Sequence, residues 1–324
     1  MMRRRTLVRS AAAGAAALAL PALRAQEDKS TITIVVGAGA SVDAAARMLA
    51  EQLKEVLGRP TVVLQKFGAG QRIALGEVRR AAPDGRTLLF STNGPFAIYP
   101  NIYRKLDYDP AAGFTPITGA SSSDAGVPTG PATGAADLKQ LVEWARTRKG
   151  GELVFGSPGN GSLSHFVGLS IALAAGLKTE HVPYKDSAVG VLDLAEGRVP
   201  AMLTGSNSFV EMHKAGRVRL LAVSGDHRSP RTPDVPTLKE AGLDLSSVTT
   251  TGLFGPARLP ADFVRRVHEA VTPLHASAVF REKLAAISMT PWAATPPQFA
   301  TSLVEERKRF DQLVKAVGYQ KEDA

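Results

Sequence analysis

The sequence predicts an α/β protein built from two lobes. Short β-branched runs alternate with amphipathic segments from residue 31 onward, a pattern typical of largely parallel sheets flanked by helices. The 324 residues are enough for two ordinary domains, and a hydrophobic content of 44% is that of a globular protein with a sizeable core. Irregular segments at about 113–136 and 224–236 divide the alternating units. We therefore expect residues 26–120 and 225–324 to form lobe 1, and residues 121–224 to form an inserted lobe 2.

The first 25 residues are predicted to be a secretory signal peptide and are kept apart from the fold. MMRRRTLVRS is basic, AAAGAAALALPAL is small and apolar, and Ala25 stands at a cleavage position. The run RRTLV (4–8) favours the twin-arginine route of export. The apolar stretch is shorter than the roughly 20 residues that a membrane-spanning helix needs. The mature protein is therefore expected in the periplasm.

Lobe 1 begins with three strands, each followed by a loop rich in glycine or polar residues. The strands are TITIVV (31–36), TVVL (61–64) and TLLF (87–90). Apolar residues recur at helical spacing over 42–56 and again over 73–82, which predicts a helix after each of the first two strands. Ser41 is predicted to cap the first helix, and Gly58 with Pro60 to end it.

After an irregular stretch from 101 to about 136 the alternation resumes. A helix is predicted near 138–145, a strand at LVF (153–155), and a second helix from Ser162 to about residue 175. Three further strands are predicted at HVP (181–183), VPAML (199–203) and RLLAV (219–223), and another at GLFG (252–255). The chain should end in helices over 260–276, 278–288 and 296–317.

Composition excludes several classes of function. Residues 1–25 carry five of the 39 Lys and Arg residues and no acid, so the remainder has 34 basic against 30 acidic residues. With no dense basic stripe, nucleic acid is not an expected partner. The absence of cysteine excludes disulfides and thiolate chemistry. The six histidines show no metal-ligand spacing, and no set of nucleophile, base and orienting residue is evident, so we expect no metal, cofactor or catalytic site.

The loop FGSPGNGSLSH (155–165) suggests an anion-binding site. Its glycines, including Gly159 and Gly161, let the backbone approach a ligand closely, and Ser157, Asn160 and Ser162 add polar side chains. The helix that begins near Ser162 would direct unpaired N–H groups at the loop, which suits a carboxylate. An ordinary tight turn is the alternative.

The loop GAGASVD (37–43) raises the question of a dinucleotide. A G-x-G between a strand and a helix is half of that fingerprint. Val42 occupies the third glycine position, however, and the second strand ends in Gln65 where a ribose-binding acid would stand. An exported protein would also meet little NAD. We reject this interpretation.

Taken in order, several stretches resemble the periplasmic solute-binding proteins of tripartite tricarboxylate transporters, the Bug or TctC family. They include GAGASVDAAAR (37–47), FGAGQRIA (67–74), APDGRTLL (82–89), FGSPGNGSLSH (155–165) and HVPYKDSA (181–188). The resemblance implies a two-lobed, Venus-flytrap-like binder of a small organic carboxylate that serves a membrane permease. A monomer without enzymatic activity is expected.

In that family, the first two glycine loops hold a ligand carboxylate through backbone groups and bridging waters, and the second lobe closes over the other end. Carried over to this chain, the resemblance and the loop argument together give the following candidate ligand-binding residues: Gly37, Ala38, Gly39, Ala40, Ser41, Asp43, Phe67, Gly68, Ala69, Gly70, Gln71, Arg72, Thr92, Asn93, Phe96, Ser157, Gly159, Asn160, Gly161, Ser162, His165, Lys185 and Thr204.

The chain departs from the family pattern at several of these positions. Phe67 stands where proline is usual, and Gln71-Arg72 stand where Gly-Asn is usual. The added side chains could narrow the carboxylate pocket, yet Arg72 could pair with a ligand carboxylate in two hydrogen bonds; the alternative places Arg72 on the solvent face of its helix. The stretch SSSDAGVPTGPATG (121–134) lacks the apolar strand that the family usually shows there.

Two other functions remain open from the sequence. A sensor that presents its closed form to a membrane partner would use the same closure as a transport receptor. An enzyme acting in the cleft would need an acid or base, for which Asp43, His165 and Lys185 are the candidates. For His165, a structural role with a satisfied hydrogen bond is the alternative.

Overall fold

The computed structural model describes residues 30–148, 150–184, 187–287 and 289–323. The predicted signal peptide and Lys185 lie outside these residues. The strands are β1 (Ile32–Val36), β2 (Thr61–Gln65), β3 (Thr87–Thr92), β4 (Phe114–Thr129), β5 (Glu152–Ser157), β6 (Lys178–Pro183), β7 (Thr204–Gly205), β8 (Arg219–Val223), β9 (Val248–Pro256) and β10 (Thr290–Pro291). The helices are α1 (Ala40–Leu57), α2 (Arg72–Arg80), α3 (Gly94–Ala97), α4 (Tyr99–Ile102), α5 (Leu138–Thr147), α6 (Leu163–Ala175), α7 (Ser187–Ala195), α8 (Val210–Lys214), α9 (Ala261–Ala276), α10 (Ala278–Ala286) and α11 (Pro296–Ala316).

The α/β class is confirmed, but the larger sheet is mixed rather than mostly parallel. In the larger sheet the strands lie in the order β10-β4-β9-β3-β1-β2, and β7 and β8 also pair with β4. Strands β1, β2 and β3 are parallel, whereas β9 and β4 run antiparallel to their neighbours. A second, parallel pair consists of β5 and β6, and a single bridge from Gly156 joins it to Met202. In place of the predicted strand at 199–203, only isolated bridges at Ala201 and Met202 are present, followed by β7.

The predicted irregular stretch from 101 to 136 is wrong, because it contains the longest strand of the protein. Strand β4 pairs with β9 as far as Asp124, with β7 at Ala125 and Gly126, and with β8 from Gly126 to Thr129, so it runs through both halves of the fold. Its small residues obscure the apolar alternation that periodicity detects. Packing requires them: a Cβ on Gly119 would lie 2.5 Å from the Trp292 ring, and one on Gly126 would lie 2.8 Å from Leu220 Cδ1.

Five buried clusters lie within the described residues, and three of them hold the elements around the cleft together. Leu49 of α1 and Val267 of α9 belong to a core that covers the β1–β3 region. Around β5 and α6 a separate core includes Phe155 and Val167. A further cluster joins α4, α6 and α11 through side chains that are almost fully buried. Its members include Ile102, Phe166, Phe310 and Val314. In the part of the chain described, no helix is both long enough and apolar enough to cross a bilayer.

Candidate functional site

A cavity of about 330 Å³ lies where the loops after β1, β3 and β5 meet β4, β7 and β9. Eight of the candidate residues from the sequence line it: Ala38, Gly39, Gln71, Thr92, Asn93, Gly161, Ser162 and Thr204. Apart from Ser164 in the first turn of α6, four polar lining residues were not among the candidates: Tyr99, Ser123, Asp124 and Thr249. Their positions depend on how α4, β4 and β9 pack, which no local motif reveals. We call this cavity the cleft.

The N-terminus of α1 opens onto the cleft. The N-cap is Gly39 rather than the predicted Ser41, and no side chain caps the helix. Gly39 fits this position because its carbonyl accepts from Val42 N (3.0 Å) and Asp43 N (3.1 Å) while its backbone stays extended. The first N–H groups of a helix have no partner within it and carry the positive end of its dipole. The 18-residue helix therefore directs the positive end of its dipole toward the cleft, where Ala38 and Gly39 lie.

The N-terminus of α6 also borders the cavity. Here the predicted cap is confirmed: Ser162 Oγ accepts from His165 N at 3.1 Å. Leu163 and Ser164, the first residues of the helix, line the cleft with Gly161. Two helix N-termini that are far apart in the sequence thus border one small cavity. Their combined field favours a ligand with negative charge.

The second glycine loop places a side chain at the cleft. Gln71 has a φ of 73°, a left-handed conformation in which glycine is usual. Its amide Nε2 donates to Thr92 Oγ1 at 2.7 Å, and its Oε1 accepts from Ser91 Oγ at 3.0 Å. Gln71 therefore ties the second loop to the end of β3 and occupies space at the wall of the cleft.

Tyr99 adds a hydroxyl group that the sequence did not point to. A Cβ on Gly70 would collide with this hydroxyl oxygen, so glycine is required for the loop to pass so close to it. Burial raises the pKa of Tyr99 to about 12, which keeps the hydroxyl protonated as a donor at neutral pH. Tyr99 lies at the wall of the cleft.

Arg72 is directed elsewhere. Its Nε donates to Ala69 O at 2.8 Å, and its guanidinium carbon lies 5.0 Å from the centre of the Tyr103 ring. The other candidates that do not border the cavity are Gly37, Ala40, Ser41, Asp43, Phe67, Gly68, Ala69, Gly70, Phe96, Ser157, Gly159, Asn160 and His165. Asp43 forms an ion pair with Arg47 at 2.8 Å, and Phe67 is half exposed.

The sequence matches the family model described as the tripartite tricarboxylate transporter family receptor over residues 45–319. The chain belongs to this receptor family. Among solved structures it is similar to Rpa4515 of R. palustris with adipate, with 27% identity and a TM-score of 0.82 over 91% of this chain and 99% of the other. It also resembles the periplasmic binding protein BugD (26% identity, TM-score 0.78, 91% and 99% covered) and MatC of Rhodopseudomonas palustris with bound malate (27%, 0.76, 88% and 99%).

Behind the α6 loop, this receptor has a pair of stacked histidines. The rings of His165 and His181 lie 3.9 Å apart. His181 contacts Ser157 Oγ through Nε2 (2.8 Å) and Asn160 Oδ1 through Nδ1 (3.1 Å). Although a serine beside a histidine that a third side chain orients is an arrangement of hydrolases, Ser157 is fully buried and does not line the cleft. The contacts instead brace the loop that presents Ser162 to the cleft.

Both imidazoles are held neutral. Burial, and then the neighbouring His181, lower the pKa of His165 to about 3. Burial lowers the pKa of His181 to about 4. Gly161 N donates to His165 Nδ1 at 3.2 Å, which a neutral ring can accept. The Asn160 contact assigns the His181 proton to Nδ1, so His181 Nε2 accepts from Ser157.

These shifts predict an acid-sensitive receptor. Because the unfolded chain binds protons at these histidines near the ordinary pKa of 6.5 and the folded chain does not, their contribution to stability is complete above pH 6.5. It is lost as the pH falls toward 4. Thermal unfolding would be measured at pH values from 8 to 4. The midpoint temperature should decrease once the pH drops below 6.5, and it should decrease less steeply for His181→Gln.

The exposed His227 provides the matched control, since His227→Gln removes an imidazole without touching the loop. An identical pH dependence of the unfolding temperature for His181→Gln and the unmodified receptor would show that His181 does not cause the acid sensitivity. Glu306 acts in the opposite direction, because burial raises its pKa to about 7 and stability is lost as the pH rises from 4.5 through 7. It is present in all three proteins and cancels in the comparison.

Within the residues described, no group of three or more His, Cys, Asp or Glu side chains is arranged to hold a metal ion.

Proposed function

We propose that this receptor captures a small organic carboxylate in the cleft and delivers it to the membrane permease of a tripartite tricarboxylate transporter. The observation that carries the proposal is the convergence of the α1 and α6 N-termini on one cavity. Backbone N–H groups and helix dipoles bind carboxylates without a charged side chain. The adipate and malate seen in the two R. palustris relatives are both dicarboxylates, which supports a ligand with one carboxylate near each helix.

The size of the cleft limits the ligand. About 330 Å³ lies at the lower end of the range for small-molecule sites. Gln71 takes up part of the space that a glycine would leave open, so this receptor should favour a shorter ligand than a relative with glycine at that position. A carboxylate of about four to six carbon atoms would fit this volume.

Closure of two lobes over the ligand would provide the signal to the permease. Strand β4 changes partners between Asp124 and Ala125, and we place the lobe boundary there, four residues beyond the sequence prediction. A ligand that contacts both lobes binds the closed form more tightly and shifts the population toward it. We further infer export to the periplasm through the predicted signal peptide, and action as a monomer.

A thermal-shift screen tests the proposal. Residues 26–324 would be unfolded and refolded to remove carried ligand, then heated with dicarboxylates, tricarboxylates, amino acids and aromatic acids, using sugars and nucleotides as controls. At a hundred times the dissociation constant, a ligand should stabilise the receptor by about 2.7 kcal/mol, or several degrees. Stabilisation by one class of carboxylate supports the proposal. A response to sugars or nucleotides alone would overturn it, and turnover of the bound compound would indicate an enzyme.

A further inference from the structure

A second cavity, of about 460 Å³, adjoins the cleft and is larger than it. Ser123 and Asp124 line both cavities, so this part of β4 forms the wall between them. Along the paired strand β9, Thr249 lines the cleft and its neighbour Val248 lines the second cavity. Because successive side chains of a strand point to opposite faces, the two cavities lie on opposite sides of these strands. We call the second one the rear cavity.

Both lobes contribute to the rear cavity. Met289 and Trp292, which follow α10, form its lobe 1 side, and the loop 225–231 forms the other side. That loop leads to Leu238, which belongs to the core around β5 and α6, so it packs with lobe 2 and the chain returns to lobe 1 only at the start of β9. The cleft and the rear cavity thus lie on either side of the strands that join the lobes. A rotation of the lobes that narrows the cleft therefore widens the rear cavity.

The rear cavity carries negative charge that no cation offsets within the described residues. Its two arginines, Arg228 and Arg231, are each paired at 2.9 Å with a glutamate outside the cavity. The carboxylates of Asp124 and Asp226 instead each accept a hydrogen bond from a serine hydroxyl, at 2.6 Å, and neither forms an ion pair. A cationic ligand would supply the missing charge.

Asp124 directs a free oxygen at the rear cavity. Ser206 Oγ donates to Asp124 Oδ1, and no other described side chain donates to Oδ2. A Cβ on Gly225, which lines the same cavity, would lie 3.7 Å from Oδ2. Burial raises the pKa of Asp124, because desolvation disfavours the charged form, and a bound cation would favour that form again.

The lobe 1 side adds an apolar and aromatic surface. Met289 is almost fully buried, and the Trp292 ring packs edge to face against the Phe299 ring at 5.5 Å, which fixes its position. Indole is the side chain that attracts cations most strongly through its ring. A carboxylate forms charge-assisted hydrogen bonds with an ammonium group. The combination suits an organic ammonium compound with a small apolar body.

We propose that the rear cavity is a second binding site for a small organic ammonium compound, and that its occupant favours closure of the cleft. The ammonium group would bind Asp124 Oδ2, and the apolar body would lie against Met289 and Trp292. An occupant that keeps the rear cavity wide opposes the rotation that opens the cleft, so binding in the two cavities is mutually reinforcing. The coupling rests on the proposed function, because carboxylate binding reports it, whereas the second site itself does not.

Calorimetry with a matched pair of probes tests the second site. The refolded receptor, residues 26–324, would be titrated with phenethylamine, which is protonated at neutral pH, and with 2-phenylethanol, its uncharged counterpart of the same size. We expect phenethylamine to bind at least about tenfold more tightly. Asp124→Asn should reduce this preference to within about threefold, whereas Asp244→Asn, at an exposed position outside the cavity, should preserve it. Absence of phenethylamine binding, or equal affinity for the two probes, would overturn the second site.

A substitution that fills the rear cavity tests the coupling. Ala285 lies on α10 and lines the cavity, so the indole of Ala285→Trp should occupy it, abolish phenethylamine binding and tighten binding of the best carboxylate from the screen by about threefold to tenfold. Ala286→Trp is the control, because Ala286 is the next residue of the same helix, is also exposed and does not line the cavity. Carboxylate affinity that is unchanged or weaker in Ala285→Trp would overturn the coupling.

The unmodified receptor provides a test that needs no substitution. Saturating phenethylamine should tighten carboxylate binding, and saturating carboxylate should tighten phenethylamine binding by the same factor. Independent binding of the two compounds would overturn the coupling even if a variant fails to fold. Failure of every carboxylate to bind would overturn the proposed function, and the comparison of phenethylamine with 2-phenylethanol would still decide whether the second site exists.

Discussion

Gly161→Val should weaken ligand binding by about tenfold to a hundredfold. A Cβ at Gly161 would collide with Cδ1 of Ile102, and Ile102 is fully buried, so its side chain has no room to move aside. Gly161 follows β5 and Ile102 ends α4, so the collision would separate the two sides of the cleft. The residue also has a φ of 72°, which disfavours a β-branched side chain. Calorimetry with the best ligand from the screen would measure the loss.

Gly159→Val is the control for this prediction. Gly159 lies in the same loop and also has a positive φ, 142°, yet no heavy atom lies within 4 Å of the position that its Cβ would take. From the sequence alone, Gly159 and Gly161 are equivalent members of one glycine loop. The structure distinguishes them, because Ile102 occupies the space beside Gly161. If both substitutions weaken binding equally, strain in the loop rather than contact with Ile102 explains the effect.

Phe166→Ala should lower the free energy of unfolding by about 3–5 kcal/mol. The Phe166 ring is fully buried and lies 5.6 Å from the Phe310 ring and 5.5 Å from the Tyr319 ring. Its cluster also contains Ile102, so the substitution leaves a cavity where α4, α6 and α11 meet. The lost burial and the remaining cavity both contribute to the cost. Urea denaturation of the ligand-free receptor would measure it.

Leu173→Ala is the control that separates the effect of the buried cluster from the effect of any substitution in helix α6. Leu173 lies on the same helix but is 48% exposed, so its truncation should cost less than about 1 kcal/mol. A comparable loss in both variants would show that the helix, rather than the cluster, sets the stability. A loss below 1 kcal/mol for Phe166→Ala would show that the surrounding side chains close the cavity.

The sequence by itself determined the features that depend on near neighbours along the chain. Helical periodicity placed α1 and α6, and Ser162 and Gly58 marked the start of α6 and the end of α1, because capping and left-handed termination are settled within a few residues. The glycine loops, and a family resemblance spread over the chain, predicted eight of the residues that line the cleft and a receptor for carboxylates. Periodicity, caps and glycine loops can be read from the sequence because they depend on the local backbone and not on how the elements pack.

Only the tertiary structure decided which side chains meet at the cleft. Strand β4 has no apolar alternation because Trp292 and Leu220 pack against its glycines, so its length and its pairing with β9 were invisible in the sequence. The same strand brings Asp124 to the cleft, while Gln71 turns toward Thr92 and Arg72 lies over Tyr103. The adjacent residues Gln71 and Arg72 thus differ, because Gln71 lines the cleft and Arg72 does not. The physical reason is that side-chain direction and burial depend on contacts between segments far apart in the chain, which local periodicity does not encode.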